Sequence, residues 1–298
     1  MKERNVGFFS TTLCYVLWGL LPLYWHLLDS VDSVVILANR IVWSAVFTIT
    51  LLFITKRFGE VKAVLCDGKK MRYMIPAAVL ITINWGVYIW SVNAGRLLDA
   101  SLGYYLNPLM VFAIGMLLFH ERCGALEWVA LGLATIGVLI ATFAYGAFPW
   151  VAITLATSFG LYGTMKKLAG VSGLTSIAVE TILVAPVAIA YLLFAPVSRA
   201  TLSALTFQPA LLLVLTGAVT ATPLILFTHG VNRIPFTTVG FLQYISPTMH
   251  FLIGVLLFHE ELTHDRVVAF AFFGVALVLY SVGMVRRVRQ KRQQPIAN

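Results

Sequence analysis

The sequence predicts an all-α membrane protein of ten transmembrane helices built as two inverted repeats of five, and three observations carry that prediction. The 298-residue chain is 60% hydrophobic and only 11% charged. Apolar stretches recur along its length, each near the roughly 20 residues a helix needs to cross about 30 Å of hydrocarbon. One 19-residue pattern occurs twice, in related positions of the two halves.

A soluble domain carries roughly 25% charged residues to keep its surface solvated, so most of this surface must face an apolar medium. Backbone N–H and C=O groups at membrane depth have no water to bond, which selects helices. Alternating ten-residue strands, the barrel pattern, are absent from the sequence. The net charge of +9 resides between and beyond the apolar segments. It forms no aromatic-interleaved basic face, so no nucleic-acid partner is expected. Cys14, Cys66 and Cys123 are scattered and have no pairing or metal-ligand spacing. The stretch from Val6 to Leu28 is too long for a cleaved signal core and reads as the first span.

Hydropathy and turn residues place the ten segments at 6–28, 33–55, 71–94, 99–119, 125–145, 148–168, 174–195, 209–231, 236–258 and 266–285. The first repeat is expected over 1–145 and the second, with a basic cytoplasmic tail, over 146–298. Lys and Arg favour the cytoplasmic side. With the amino terminus inside, seventeen of them lie inside, only Arg96, Arg199 and Arg266 lie outside, and Arg40 stays within a span. Both termini are therefore expected in the cytoplasm.

The repeated pattern reads GYYLNPLMVFAIGMLLFHE at 103–121 and LQYISPTMHFLIGVLLFHE at 242–260, with eleven of nineteen positions identical at an offset of 139. About one or two identities would arise by chance. Five spans per half is an odd number, so the second half enters from the opposite side. His120–Glu121 then ends its helix at the cytoplasmic face and His259–Glu260 at the external one. Inverted repeats of this kind underlie many secondary transporters, although duplication by itself does not establish transport.

Arg40 and Glu180 lie within spans two and seven, nearly one repeat apart. Ionised groups at that depth are costly unless paired, snorkelling or facing water. They are candidates either for a buried pair or for charges lining a solute or proton path, and the sequence does not decide whether they pair. Polar and aromatic residues form a second set. Asn84, Tyr88 and Ser91 share a face of span three. Ser101, Tyr104, Asn107 and Pro108 share one of span four. Gln243, Ser246, Pro247 and His250 form the matching stripe of span nine, and Trp18, Tyr162, His229 and Tyr244 join the candidates. Such a set suits a cavity that recognises an organic solute, or else ties helices together. The symmetric Pro108 and Pro247 are candidate hinges. Gly115 and Gly254 suit close helix packing.

Enzyme signals are weak. The histidines of HEELTH at 259–264 are five apart, not the four a zinc-protease helix requires. No phosphate-binding loop, nucleophile elbow or dinucleotide fingerprint occurs. A non-enzyme without cofactor or metal, driven by gradients, is the expectation.

Longer stretches carry a family resemblance: WGLLPLYW at 18–25, NRIVWS at 39–44, NWGVYIWSVN at 84–93, DASLGYYLNPL at 99–109, VETILVAPVA at 179–188 and GFLQYISPT at 240–248. Over nearly its whole length the chain resembles the drug/metabolite transporter superfamily with EamA-type repeats, most closely the RarD subfamily of bacterial permeases. The resemblance implies ten helices, with spans one, three, four, six, eight and nine around a central cavity, in a bacterial plasma (inner) membrane. It implies a multi-pass secondary transporter for a small organic metabolite or drug, exporting by alternating access, with the solute and the lipid bilayer as partners. It assigns no substrate. A channel-like facilitator and a non-transporting scaffold or intramembrane enzyme are the alternatives.

Overall fold

A computed structural model of the chain describes residues 2–93, 97–145, 148, 150–257 and 264–293. Thirteen helices occur among them: α1 (Lys2–His26), α2 (Ser33–Ile54), α3 (Phe58–Leu65), α4 (Gly68–Asn93), α5 (Leu97–Leu117), α6 (Ala125–Tyr145), α7 (Trp150–Ala169), α8 (Gly173–Phe194), α9 (Pro196–Ser203), α10 (Phe207–Val231), α11 (Phe236–Leu242), α12 (Ile245–Leu256) and α13 (His264–Gln293). Each apolar segment falls on one helix, except span nine, which falls on two. By length and hydropathy alone, four described stretches suffice to cross a membrane: Glu3–His26, Ser33–Ile54, Gly173–Phe194 and Phe207–Val231. The second His-Glu pair, His259–Glu260, lies outside the described residues, as does Arg96.

Two features were not foreseen. The segments at 56–72 and 196–208, read as connections, each contain a short helix, α3 and α9. Span nine is two helices, with the break at Gln243–Tyr244. The break has a local cause. Pro247 has no N–H to donate and its ring collides with the carbonyl four residues back, which is that of Gln243. The counterpart helix α5 runs unbroken through Pro108. The two candidate hinges are thus structurally unlike: one within a continuous helix, the other in the first turn after an interruption.

The repeat extends far beyond the matched 19 residues. From α2 onward each element of the first half begins within one residue of 139 positions before its counterpart: α2 with α8, α3 with α9, α4 with α10, α5 with α11–α12, and α6 with α13. Packing follows the same exchange. Helix α2 lies on its counterpart α8, α5 on α11, and α6 on α13, while α1 packs on α10 just as α7 packs on α4. The halves therefore interleave.

Close crossings depend on missing side chains. A Cβ on Gly217 of α10 would collide with the Trp43 carbonyl of α2, and one on Gly240 of α11 would stand 2.8 Å from the Pro108 carbonyl of α5. The core at the crossings is aromatic. Tyr15, Trp18, Phe159, Tyr162 and Phe227 contact one another with ring centroids 5.3–6.5 Å apart.

On the end face bearing the amino terminus, α3 is tied to α8. The Glu60 carboxylate accepts from Arg57 Nε (2.7 Å) and Nη2 (2.9 Å), and from Thr175 Oγ1 (2.6 Å) and Ser172 Oγ (3.2 Å). The Arg57 guanidinium, with the Thr175 hydroxyl, holds this carboxyl down at about 2, from an ordinary 4.5. A depressed carboxyl stabilises at pH above its unfolded value and stops doing so as pH falls through the folded one. The tie is accordingly expected to be intact at pH 5 and to be lost between about 4.5 and about 2. Infrared titration of the carboxylate stretch, taken as a difference against Glu60→Gln, measures this; a midpoint near the ordinary value contradicts it.

Candidate functional site

Arg40 sits about a third of the way along α2, and residues of five other helices gather around it. Its Nε donates to Thr220 Oγ1 of α10 at 3.1 Å. The guanidinium carbon lies 4.9 Å from the Trp25 ring centroid of α1 and 4.8 Å from that of Trp85 of α4. Tyr88 of α4 and Tyr104 of α5 interact electrostatically with it. They meet edge to face at 6.0 Å, and Tyr104 meets His250 of α12 at 5.8 Å. His250 Nε2 reaches the Trp18 carbonyl at 3.1 Å, and Trp18 joins the group to the aromatic core. Tyr104 keeps 37% of its surface exposed, and Arg40 is half-buried.

Glu180, the other charge noticed in the sequence, does not face Arg40. Its carboxylate pairs with the Lys166 ammonium and accepts from Tyr162 Oη (3.1 Å) and Ser176 Oγ (3.2 Å). Lys166 Nζ also donates to Ser176 Oγ at 2.5 Å. Lys166 is one of the seventeen cations expected on the inner side, yet its side chain is completely buried. A clue was available, since Tyr162 and Lys166 are four apart and hence share a helix face. Glu180 and Tyr162 thus belong to a charge-balanced knot between α7 and α8.

The other sequence candidates divide. Tyr88, Tyr104, His250 and Trp18 come together around Arg40. Asn84 is used as a tie, its Nδ2 donating to the Leu155 carbonyl and Ser158 Oγ of α7 at 2.9 Å each. His229 lies at the opposite end of the bundle, where Nδ1 is 3.0 Å from Ser10 Oγ. Tyr244 faces away from the group, among Phe241, Phe273 and the cluster containing Tyr280. Asn107 and Gln243 are buried, and Asn107 Oδ1 and Gln243 Oε1 have no hydrogen-bond partner among the described residues. Buried polar atoms are seldom left so.

On the end face bearing the amino terminus, Glu121 ties the end of α5 to the start of α11. Helix α5 ends at Leu117, His120 adopts a left-handed φ of 49°, and the Glu121 amide turns back to the Gly115 carbonyl (3.2 Å). This reversal aims the Glu121 carboxylate at the first turn of α11, where it accepts from Phe236 N (2.7 Å) and Thr237 N (2.8 Å). Helix α11 is preceded by Pro235, which offers no side-chain cap, so the opposite half supplies one. Lys167 Nζ joins at 3.4 Å and donates to the Ile234 carbonyl at 3.0 Å, near the rings of Phe119 and Phe236. Gly115 leaves the room: a Cβ there would stand 2.8 Å from Thr237 N and 3.1 Å from Glu121 Oε2. The repeated Phe-His-Glu pattern thereby gains a physical role in its first copy.

The sequence profile of the EamA-like transporter family matches twice, over residues 5–143 and 149–282. The chain belongs to the EamA-like transporter family. Its relatives include an uncharacterised transporter of Pseudomonas aeruginosa, 40% identical over 96% of this chain and 97% of that protein. Protein RarD of Streptomyces exfoliatus is 40% identical over 98% and 93%, and Protein RarD of Salmonella typhimurium 37% over 97% and 99%. A crystal structure 17% identical in sequence superposes with a TM-score of 0.71 over 95% of this chain and 99% of that one, which speaks to the fold. This EamA-family chain is thus a RarD-like permease and a membrane transporter. The Arg40 group joins one cation to the rings of Trp25 and Trp85, with Tyr88 and Tyr104 meeting edge to face beside them.

Proposed function

We propose that the protein is a secondary transporter that exports a small organic metabolite or drug across the bacterial plasma membrane by alternating access. In this reading ten helices cross the bilayer, α11 and α12 together counting as one. The halves 1–145 and 146–298 are inverted, and both termini are cytoplasmic. The observation that carries it is the broken helix α11–α12, which leaves Gln243 buried at the break with Oε1 unpartnered among the described residues, as Asn107 Oδ1 is on the related helix α5. Interrupted helices with spare polar groups at the interface of two repeats are where transporters of this architecture bind and release cargo.

The solute enters beside Tyr104 and Arg40, and Trp18, Phe159 and Phe227 form the floor beneath. The Glu121 latch holds the cytoplasmic face shut in the conformation described. Release of that latch, with rocking of one half against the other, exposes the site to the cytoplasm. Reconstituted full-length protein tests the reading with solutes chosen by untargeted metabolomics of overexpressing and deleted cells. Saturable flux with counter-flow is expected. Flux that stays proportional to solute at all concentrations identifies a pore, and a metabolite difference with no flux for any solute removes the transport reading.

A further inference from the structure

We propose that the Arg40 cluster is a binding site for the carboxylate of an aromatic or otherwise flat monoanionic solute. The inference deepens the transport reading by naming the class of cargo, and it rests on that reading only for the purpose of binding. Its first support is charge balance. Glu180 is neutralised by Lys166, whereas Arg40 has no carboxylate partner among the described residues. A cation held this deep without an anion is a costly arrangement that a bound anion relieves.

Hydrogen-bond geometry is the second support. Thr220 occupies Nε, and the two terminal amino groups make no hydrogen bond to any described residue. A guanidinium with both terminal groups free presents the planar fork that receives a carboxylate through two parallel bonds. The surroundings select the remainder of the solute. Trp25 and Trp85 flank the cation, and Tyr88 and Tyr104 add further ring surface. These walls favour a flat apolar body.

The same cluster argues against other classes. It contains no acidic side chain among the residues whose side chains are described, so the ammonium of a zwitterion or an amine finds no counter-charge there. It contains one cation, which suits a monoanion better than a phosphate dianion. None of this chemistry repeats in the other half, because Phe227 stands 139 positions after Tyr88 and Val179 after Arg40. The site is single and one-sided in charge.

The test uses purified full-length protein in nanodiscs and calorimetric titration with benzoate, phenylacetate and 3-phenylpropionate. Their amides, benzylamine, phenylalanine and phenyl phosphate serve as matched probes. An acid is expected to bind at least about tenfold more tightly than its amide, and more tightly than the amine, the zwitterion and the phosphate. Arg40→Gln removes that discrimination. Arg40→Lys keeps the preference for acids at lower affinity, because the charge survives and the fork does not. Should Arg40→Gln fail to elute as a monodisperse peak, Trp85→Phe decides. It keeps a ring beside the cation and is expected to weaken acid binding severalfold while preserving the acid-over-amide ratio. Equal binding of acid and amide, persistence of the preference in Arg40→Gln, or no acid bound by about 10 mM overturns the proposal. Acid binding without flux in vesicles leaves the site and removes the transport reading. Flux of neutral solutes without acid preference leaves transport and removes the site.

Discussion

Lys166→Met, with Glu180 left in place, is expected to lower the stability of the protein by about 3–5 kcal/mol, the usual cost of stranding one member of a buried ion pair. The Lys166 side chain is fully buried and that of Glu180 is 5% exposed. No water replaces the lost ammonium, so the carboxylate keeps only Tyr162 and Ser176 as donors. The double replacement Lys166→Met with Glu180→Leu removes both charges and is expected to recover most of the loss, because each charge's desolvation cost disappears with it. Denaturation of the four proteins in mixed micelles gives the cycle directly. Additive losses would show that the two groups are not coupled, and the knot between α7 and α8 would then lose its explanation.

Glu121→Ala is expected to free the first turn of α11. Its carboxylate accepts two backbone N–H bonds and faces Lys167. Hydrogen bonds to charged groups contribute about 1.5–3 kcal/mol each, so losing both should make this face roughly 10²- to 10⁴-fold easier to open. Hydrogen exchange of the amides of Phe236 and Thr237, followed in a peptide spanning 232–242, should accelerate by that factor. Glu121→Gln retains one acceptor oxygen and should fall between. Unchanged exchange in Glu121→Ala would mean that Lys167 and the aromatic layer alone close this face.

Some of this was legible without a structure. Apolar runs of helical length are a local property of the chain, and each coincides with a helix except span nine, which is broken in two. The offset of 139 found from nineteen residues also sets the start of each element from α2 to α6 relative to its counterpart. The stripe with Tyr88, Tyr104 and His250 was visible as polar groups in apolar surroundings. Trp25 and Thr220 were missed, because nothing in a span's own periodicity shows which neighbour will cross it. Arg40 and Thr220 are 180 residues apart, and only the crossing of α2 with α10 at Gly217 brings them together.

What the sequence determined by itself was a helical membrane protein made of two related halves, because composition, segment length and duplication are summed over many residues and survive small local errors. The tertiary structure decided the partners of the charges. Arg40 and Glu180 stand at nearly equivalent places in the two repeats, yet one lies among indoles without an acid among the described side chains and the other is locked to a buried lysine. The difference rests on which side chains α1, α4, α7 and α10 bring to each position, and those contacts depend on the angles and depths at which the helices cross.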